Sequence, residues 1–245
     1  METTWTCRGA VLAAAIAGFS ATAAMAADPV DPVHDWSGSY VGLFAGYGTG
    51  DIDLRDLDGY NVAPVDGDFE YDADGFIGGV NFGHNWQSGK AVLGLEGEVG
   101  YFDYSGSGQF PDYIGVRTPF DSRASIDGGV YGGAFLRLGF ALDRLLFYGK
   151  GGVVGFDADV SFIDPDPIGT TLVAGTSKSE FLVGYGVGGG LEFAISDNWS
   201  FGGEYLFMDF GSISHTATDA GGGANRFRHE LEGIHTGRAT LKFHW

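Results

Sequence analysis

The sequence predicts an all-β chain, an eight-stranded antiparallel transmembrane up-and-down β-barrel. Three observations carry that prediction. Apolar residues alternate with small or charged ones over successive segments, the period-two pattern of strands with two unlike faces. Long and short gaps between these segments alternate, as in a barrel with tight turns at one end and long loops at the other. Glycine makes up 44 of 245 residues without a collagen-like period, which points to close-packed strands.

The elements follow in order. METTWTCRGA is followed by the apolar run VLAAAIAGFSATAA and a small-x-small pattern at Ala24, Met25 and Ala26. Residues 1–26 read as a signal peptide. The Pro- and Asp-rich residues 27–35 read as a periplasmic linker, with the barrel over 36–245. The apolar run is shorter than the ~20 residues of a spanning helix and no later segment approaches that length, so no transmembrane helix is expected. Cys7, the one cysteine, lies in the predicted leader, so disulfides, thiolate catalysis and cysteine metal sites are excluded from the mature chain. Glu2 and Arg8 leave together, and the mature chain keeps the net charge of -19. Nucleic acid is therefore excluded as a partner.

Strand centres fall at Gly42, Gly79, Glu96, Gly133, Lys150, Gly188, Glu204 and Arg238. Short turns are expected at Gln87–Lys90, Ala141–Arg144 and Ser196–Asn198, where Gly, Asp, Asn and Ser supply turn chemistry. Long loops are expected over 50–72, 105–124, 157–179 and 212–230. Within strands, Val41, Leu43, Ala45 and Tyr47 oppose Gly42, Gly46 and Gly48. Ala239, Leu241, Phe243 and Trp245 likewise oppose Arg238, Thr240 and Lys242. In FLVGYGVGGGLEF, Gly184, Gly186 and Gly189 match the spacing of a dinucleotide loop, but LEFAI continues as a strand where that fingerprint needs a helix.

A soluble β-sandwich or lipocalin-like barrel, apolar face inward, satisfies the same periodicity. Aromatics at strand ends favour the membrane alternative, with Trp36, Tyr40, Tyr47, Trp86, Tyr101, Trp199 and Trp245 as interfacial girdles. A glycine-rich face suits a narrow lumen. The chain also closes on an aromatic strand, RATLKFHW.

That ending resembles the C-terminal assembly signal of bacterial outer-membrane proteins, with Leu241, Phe243 and Trp245 in its pattern. DWSGSYVGLFAGYG, GFIGGVNFGHNWQ, RLGFALDRLLFYGKGG, GGGLEF and GEYLFMDFG resemble the small eight-stranded outer-membrane β-barrel family of alphaproteobacteria, which includes surface antigens and porin-like proteins. The resemblance implies the OmpA-like membrane-domain fold and outer-membrane lipid and lipopolysaccharide as surroundings. It also implies the barrel-assembly machinery as a partner through the last strand. No periplasmic domain is expected after Trp245.

Eight charges are expected in the lumen: Glu96, Glu98, Arg137, Lys150, Glu192, Glu204, Arg238 and Lys242. Facing in avoids the ~2 to 4 kcal/mol that an Arg or Lys costs in mid-membrane lipid. Four acids against four bases imply an ion-pair plug, with a narrow ion path as the alternative. Glu96 and Glu98 share a face, but a filled lumen denies substrate access. Ser214–His215 is the nearest serine–histidine pairing and reads as composition, and no histidine has metalloenzyme spacing. Asp51, Asp53, Asp56 and Asp58 could offer oxygens to Ca²⁺ but lack the EF-hand glycine and glutamate, so solvated loop charge is the expectation. No catalytic residues, metal or cofactor are expected. The leading functional reading is a structural surface protein, ahead of a small porin and of a rim-located lipid-modifying enzyme. The sequence names no loop ligand and no oligomeric state.

Overall fold

The computed structural model describes residues 34–58, 69–109, 123–164, 173–218 and 222–245. The predicted leader and most of the linker lie outside them. Ten strand segments form: β1 (Gly38–Asp56), β2 (Phe69–Ser88), β3 (Ala91–Phe102), β4 (Ser105–Gln109), β5 (Arg123–Leu142), β6 (Leu145–Asp164), β7 (Val173–Ala194), β8 (Trp199–Asp209), β9 (Gly211–Thr218) and β10 (Ala224–His244).

Every ladder between sequence neighbours is antiparallel, and β1 pairs with both β2 and β10. The hydrogen-bonded ring therefore runs β1-β10-β8-β7-β6-β5-β3-β2 and returns to β1. β4 extends β3 along β5, and β9 extends β8 along β10, so ten segments make eight staves. The two-residue turns have the expected chemistry. Their first central residues are left-handed, Gly89 at φ 59° and Asp143 at φ 52°, a region that glycine enters freely and aspartate tolerates.

One expectation needs correcting. Much of the long loops is strand: β1 runs on to Asp56, and Ser212–Thr218 belongs to β9. Six staves have 19 to 22 residues, against the ~9–11 that cross a bilayer. The barrel wall thus continues as a tube beyond the membrane.

The two halves of this tube have opposite polarity. Around the turn-proximal half the outer wall is apolar, with Leu43, Phe82, Leu138, Val187 and Phe201 exposed. In the far half Asp51, Asp53, Asp72, Asp127 and Asp159 face out. The inner wall there is apolar instead, a buried cluster including Ile52, Leu54, Phe102, Phe156 and Phe227. Period two persists on both sides of the change. Along β1, β2, β3–β4, β6 and β7 the phase is kept and the residue types exchange faces, whereas along β5, β8–β9 and β10 the inward phase itself shifts by one residue. Irregularities gather at the changeover: register shifts between Thr49 and Asp51 and between Gly128 and Tyr131, with left-handed Gly211 and Gly233. Bulges let a strand change which residues point inward without leaving the sheet.

A charged lumen as the candidate functional site

The membrane half of the lumen is built from alternate residues of facing strands. β3 supplies Glu96 and Glu98, β5 Arg137, β6 Lys150, β7 Glu192, β8 Glu204, and β10 Arg238 and Lys242. All eight are buried, none more than 6% exposed. Glycines beside them keep the wall thin: a Cβ at Gly42 would stand 2.7 Å from Lys242 Cγ, and one at Gly46 would stand 2.9 Å from Arg238 Cγ.

The charges interlock. Lys150 Nζ sits 3.0 Å from Glu96 Oε1, 2.5 Å from Glu98 Oε1 and 3.0 Å from Glu204 Oε2. Arg238 lies 2.9 Å from Glu98 Oε2 and also pairs with Glu204, its ladder partner. Lys242 Nζ bridges Glu96 and Glu192 at 3.1 Å each. Arg137 Nη2 reaches Glu192 at 2.8 Å. Arg137 and Lys150 oppose each other in the β5–β6 ladder, a repulsive juxtaposition that Glu96, between them, offsets. In a low-dielectric interior such charges persist only with partners and hydrogen bonds in place.

Sequence reasoning missed the aromatic half of this network. Tyr40 donates to Glu96 at 2.7 Å and accepts from Arg137 at 2.7 Å. Tyr148 donates to Glu204 at 2.9 Å and Tyr131 to Glu98 at 3.1 Å. Arg137 lies over the Tyr148 ring at 3.9 Å, Lys150 over Phe135 at 4.3 Å and Arg238 over Phe44 at 4.7 Å, contacts that strengthen when desolvated. The signal was phase: Tyr40 is in step with Gly42, Phe135 with Arg137 and Tyr148 with Lys150.

Trp36 and Tyr40 are accordingly corrected, since both are 1% exposed and neither faces lipid. Trp36 plugs the turn end of the lumen, its indole donating to the Asp143 carbonyl at 3.1 Å and packing with Val92, Leu146 and Tyr148. Tyr47, Trp86, Tyr101, Trp199 and Trp245 are exposed on the outer wall. Leu241, Phe243 and Trp245 also face out, on the strand that closes the barrel against β1.

The carboxylate oxygens of Glu96, Glu98 and Glu204 converge within 4.8 Å of one another, yet the Lys150 ammonium occupies their common centre. The set answers to an ammonium rather than to a metal. Among the described side chains, the candidate loop carboxylates Asp51, Asp53 and Asp58 are not brought together as a metal site. Asp51 and Asp53 stand on the outer face of β1, Asp58 is held by Arg226 through contacts of 2.8, 3.1 and 2.9 Å, and the Asp56 side chain lies outside the description. Those contacts hold the Asp58 carboxyl below its usual range. Ser214 and His215 point to opposite faces of β9, one exposed and one buried, so they cannot act as a nucleophile–base pair.

Comparison with known proteins agrees with this architecture. A family model described as outer membrane protein beta-barrel domain matches residues 11–228. The 31 kDa outer-membrane immunogenic protein of Brucella melitensis is 31% identical over 95% of this chain and 98% of its own. The 22 kDa outer membrane protein of Rhizobium leguminosarum is 33% identical over 75% of this chain and 69% of its own. Among solved structures, the outer membrane protease OmpT of Escherichia coli has a similar fold, with a TM-score of 0.51 at 9% identity, covering 85% of this chain and 97% of that one. The chain belongs to the family of outer membrane protein beta-barrel domains, and its place is the outer membrane.

Proposed function

We propose that this is a non-conducting, non-catalytic surface barrel that reinforces the envelope and holds its outer loops toward external partners. The observation that carries the reading is a lumen filled along its length. Trp36 closes the turn end, four acids and four bases fill the membrane half, and an apolar cluster including Phe102, Phe156 and Phe162 fills the outer half. Conduction needs sites an ion can enter and leave, whereas here each cation is matched by carboxylates fixed to the wall. The lumen carboxylates are buried and already engaged by Arg137, Lys150, Arg238 and Lys242, which leaves them poorly placed to meet a substrate.

The strands of the outer tube run well past the length needed to cross a bilayer. The relatives named as immunogenic outer-membrane proteins support a surface that external molecules meet. Leu241, Phe243 and Trp245, exposed on the closing strand, support delivery by the barrel-assembly machinery. The test is planar-bilayer recording with purified protein. Silence is expected, and steady, reproducible unitary openings would replace this reading with the small-porin one.

A further inference from the structure

The outer half of the lumen is lined mostly by apolar side chains and also holds a pair of histidines on neighbouring strands. His215 of β9 pairs with Phe227, and His229 of β10 pairs with Ile213, so the two are diagonal neighbours on one inner face. They are 6% and 0% exposed, and their ring centroids lie 5.1 Å apart. Both nitrogens of His215 and Nε2 of His229 lack a hydrogen-bond partner among the described residues. Buried polar atoms are rarely left so, and each exception asks for an explanation.

The geometry points to one. Two imidazoles bound to a tetrahedral cation at nitrogen distances of about 2.0–2.1 Å have centroids about 5 Å apart. His229 Nδ1 lies 3.1 Å from the Tyr71 hydroxyl. Donation from Nδ1–H to that oxygen leaves the Nε2 lone pair free, the orienting contact that metal-bound histidines characteristically make. Burial keeps both rings neutral, lowering His215 to about 4 and His229 to about 3, so protons do not compete near neutral pH. Lys178, the cation felt by His215, is itself engaged by Glu180 at 2.7 Å and by the Ser214 carbonyl at 3.0 Å.

We propose that His215 and His229 form a binding site for a divalent transition-metal cation of the zinc and copper class, near the outer end of the barrel. Imidazole donors favour such cations over Ca²⁺ or Mg²⁺, and water completes the coordination shell.

The test is titration of the folded protein in detergent with ZnCl₂ by calorimetry, in excess Mg²⁺ to occupy the acidic outer wall, with Co²⁺ absorption as a report of tetrahedral nitrogen ligation. One Zn²⁺ per chain is expected. His215→Ala and His229→Ala should each weaken binding at least ~10-fold, and Tyr71→Phe by about 10-fold through loss of orientation. Heat-modifiable mobility checks folding of each variant. If a histidine variant fails that check, Tyr71→Phe decides, and its unchanged affinity would overturn the proposal. Absence of wild-type binding, or binding that survives both histidine substitutions, would overturn it too.

Discussion

Lys150→Met removes the ammonium at the centre of the lumen while keeping most of its volume. Three carboxylates now within 3.0 Å of Nζ lose that partner. Arg238 still serves Glu98 and Glu204, and Arg137 and Lys242 still serve Glu96. The lumen nevertheless goes from four acids against four bases to an excess of one negative charge. Breaking a buried pair by deleting one member costs ~3–5 kcal/mol, because the survivor stays desolvated. At a urea slope of about 2 kcal/mol/M, a loss of about 4 kcal/mol moves the unfolding midpoint down by about 2 M. The assay is urea unfolding in lipid vesicles followed by heat-modifiable mobility and tryptophan emission. Adding Glu98→Gln restores charge balance and should recover part of the loss, since coupled sites are not additive. A midpoint unmoved in Lys150→Met, or lowered further in the double variant, would refute the interlocked network.

Further outcomes follow from the same structure. Arg137→Leu frees Glu192 from its 2.8 Å contact and should lower the unfolding midpoint comparably to Lys150→Met. Val187→Arg, on the lipid-facing wall, should cost ~2–4 kcal/mol in vesicle unfolding. Asp53→Leu, on the charged outer wall beyond the changeover, should stay within about 0.5 kcal/mol, and equal losses for the two would count against the polarity exchange. In metal-free protein His215 and His229 have folded values lowered to about 4 and about 3 from the usual 6.5 or so. Between about pH 6.5 and those values the unfolded chain binds protons that the folded chain does not, so stability falls on acidification there and levels off below. A His215→Phe/His229→Phe double variant should show a flatter stability profile from pH 7 to 5, and identical profiles would refute the assignment.

Much of the fold and site could be read from the chain because period-two alternation is a local consequence of strand geometry. It assigns Glu96 and Arg137 to one face and Leu95 and Leu138 to the other whatever closes the sheet. The same phase already set Tyr40 with Gly42, but an aromatic near a strand end looks like a girdle until burial shows which wall it faces. The partners inside the lumen were not legible. Which acid meets Lys150 depends on ring closure bringing β3, β6 and β8 around one axis, and residues this distant in sequence carry no local trace of that. Loop extent was misread for a related reason, since charged, glycine-containing segments look like loops unless the inward apolar positions Ile52, Leu54 and Ile213 are counted.

The sequence alone determined strands with two unlike faces, and left the membrane barrel and the soluble barrel as rival ways to bury one of them. The tertiary structure decided that both occur in one tube. Where lipid surrounds the wall, apolar residues must face out and charges pair within. Beyond the lipid, water reverses the preference and the hydrophobic effect turns Ile52, Phe102 and Phe227 inward. Periodicity is the same in both halves because it belongs to the strand, whereas the direction of burial belongs to the solvent outside.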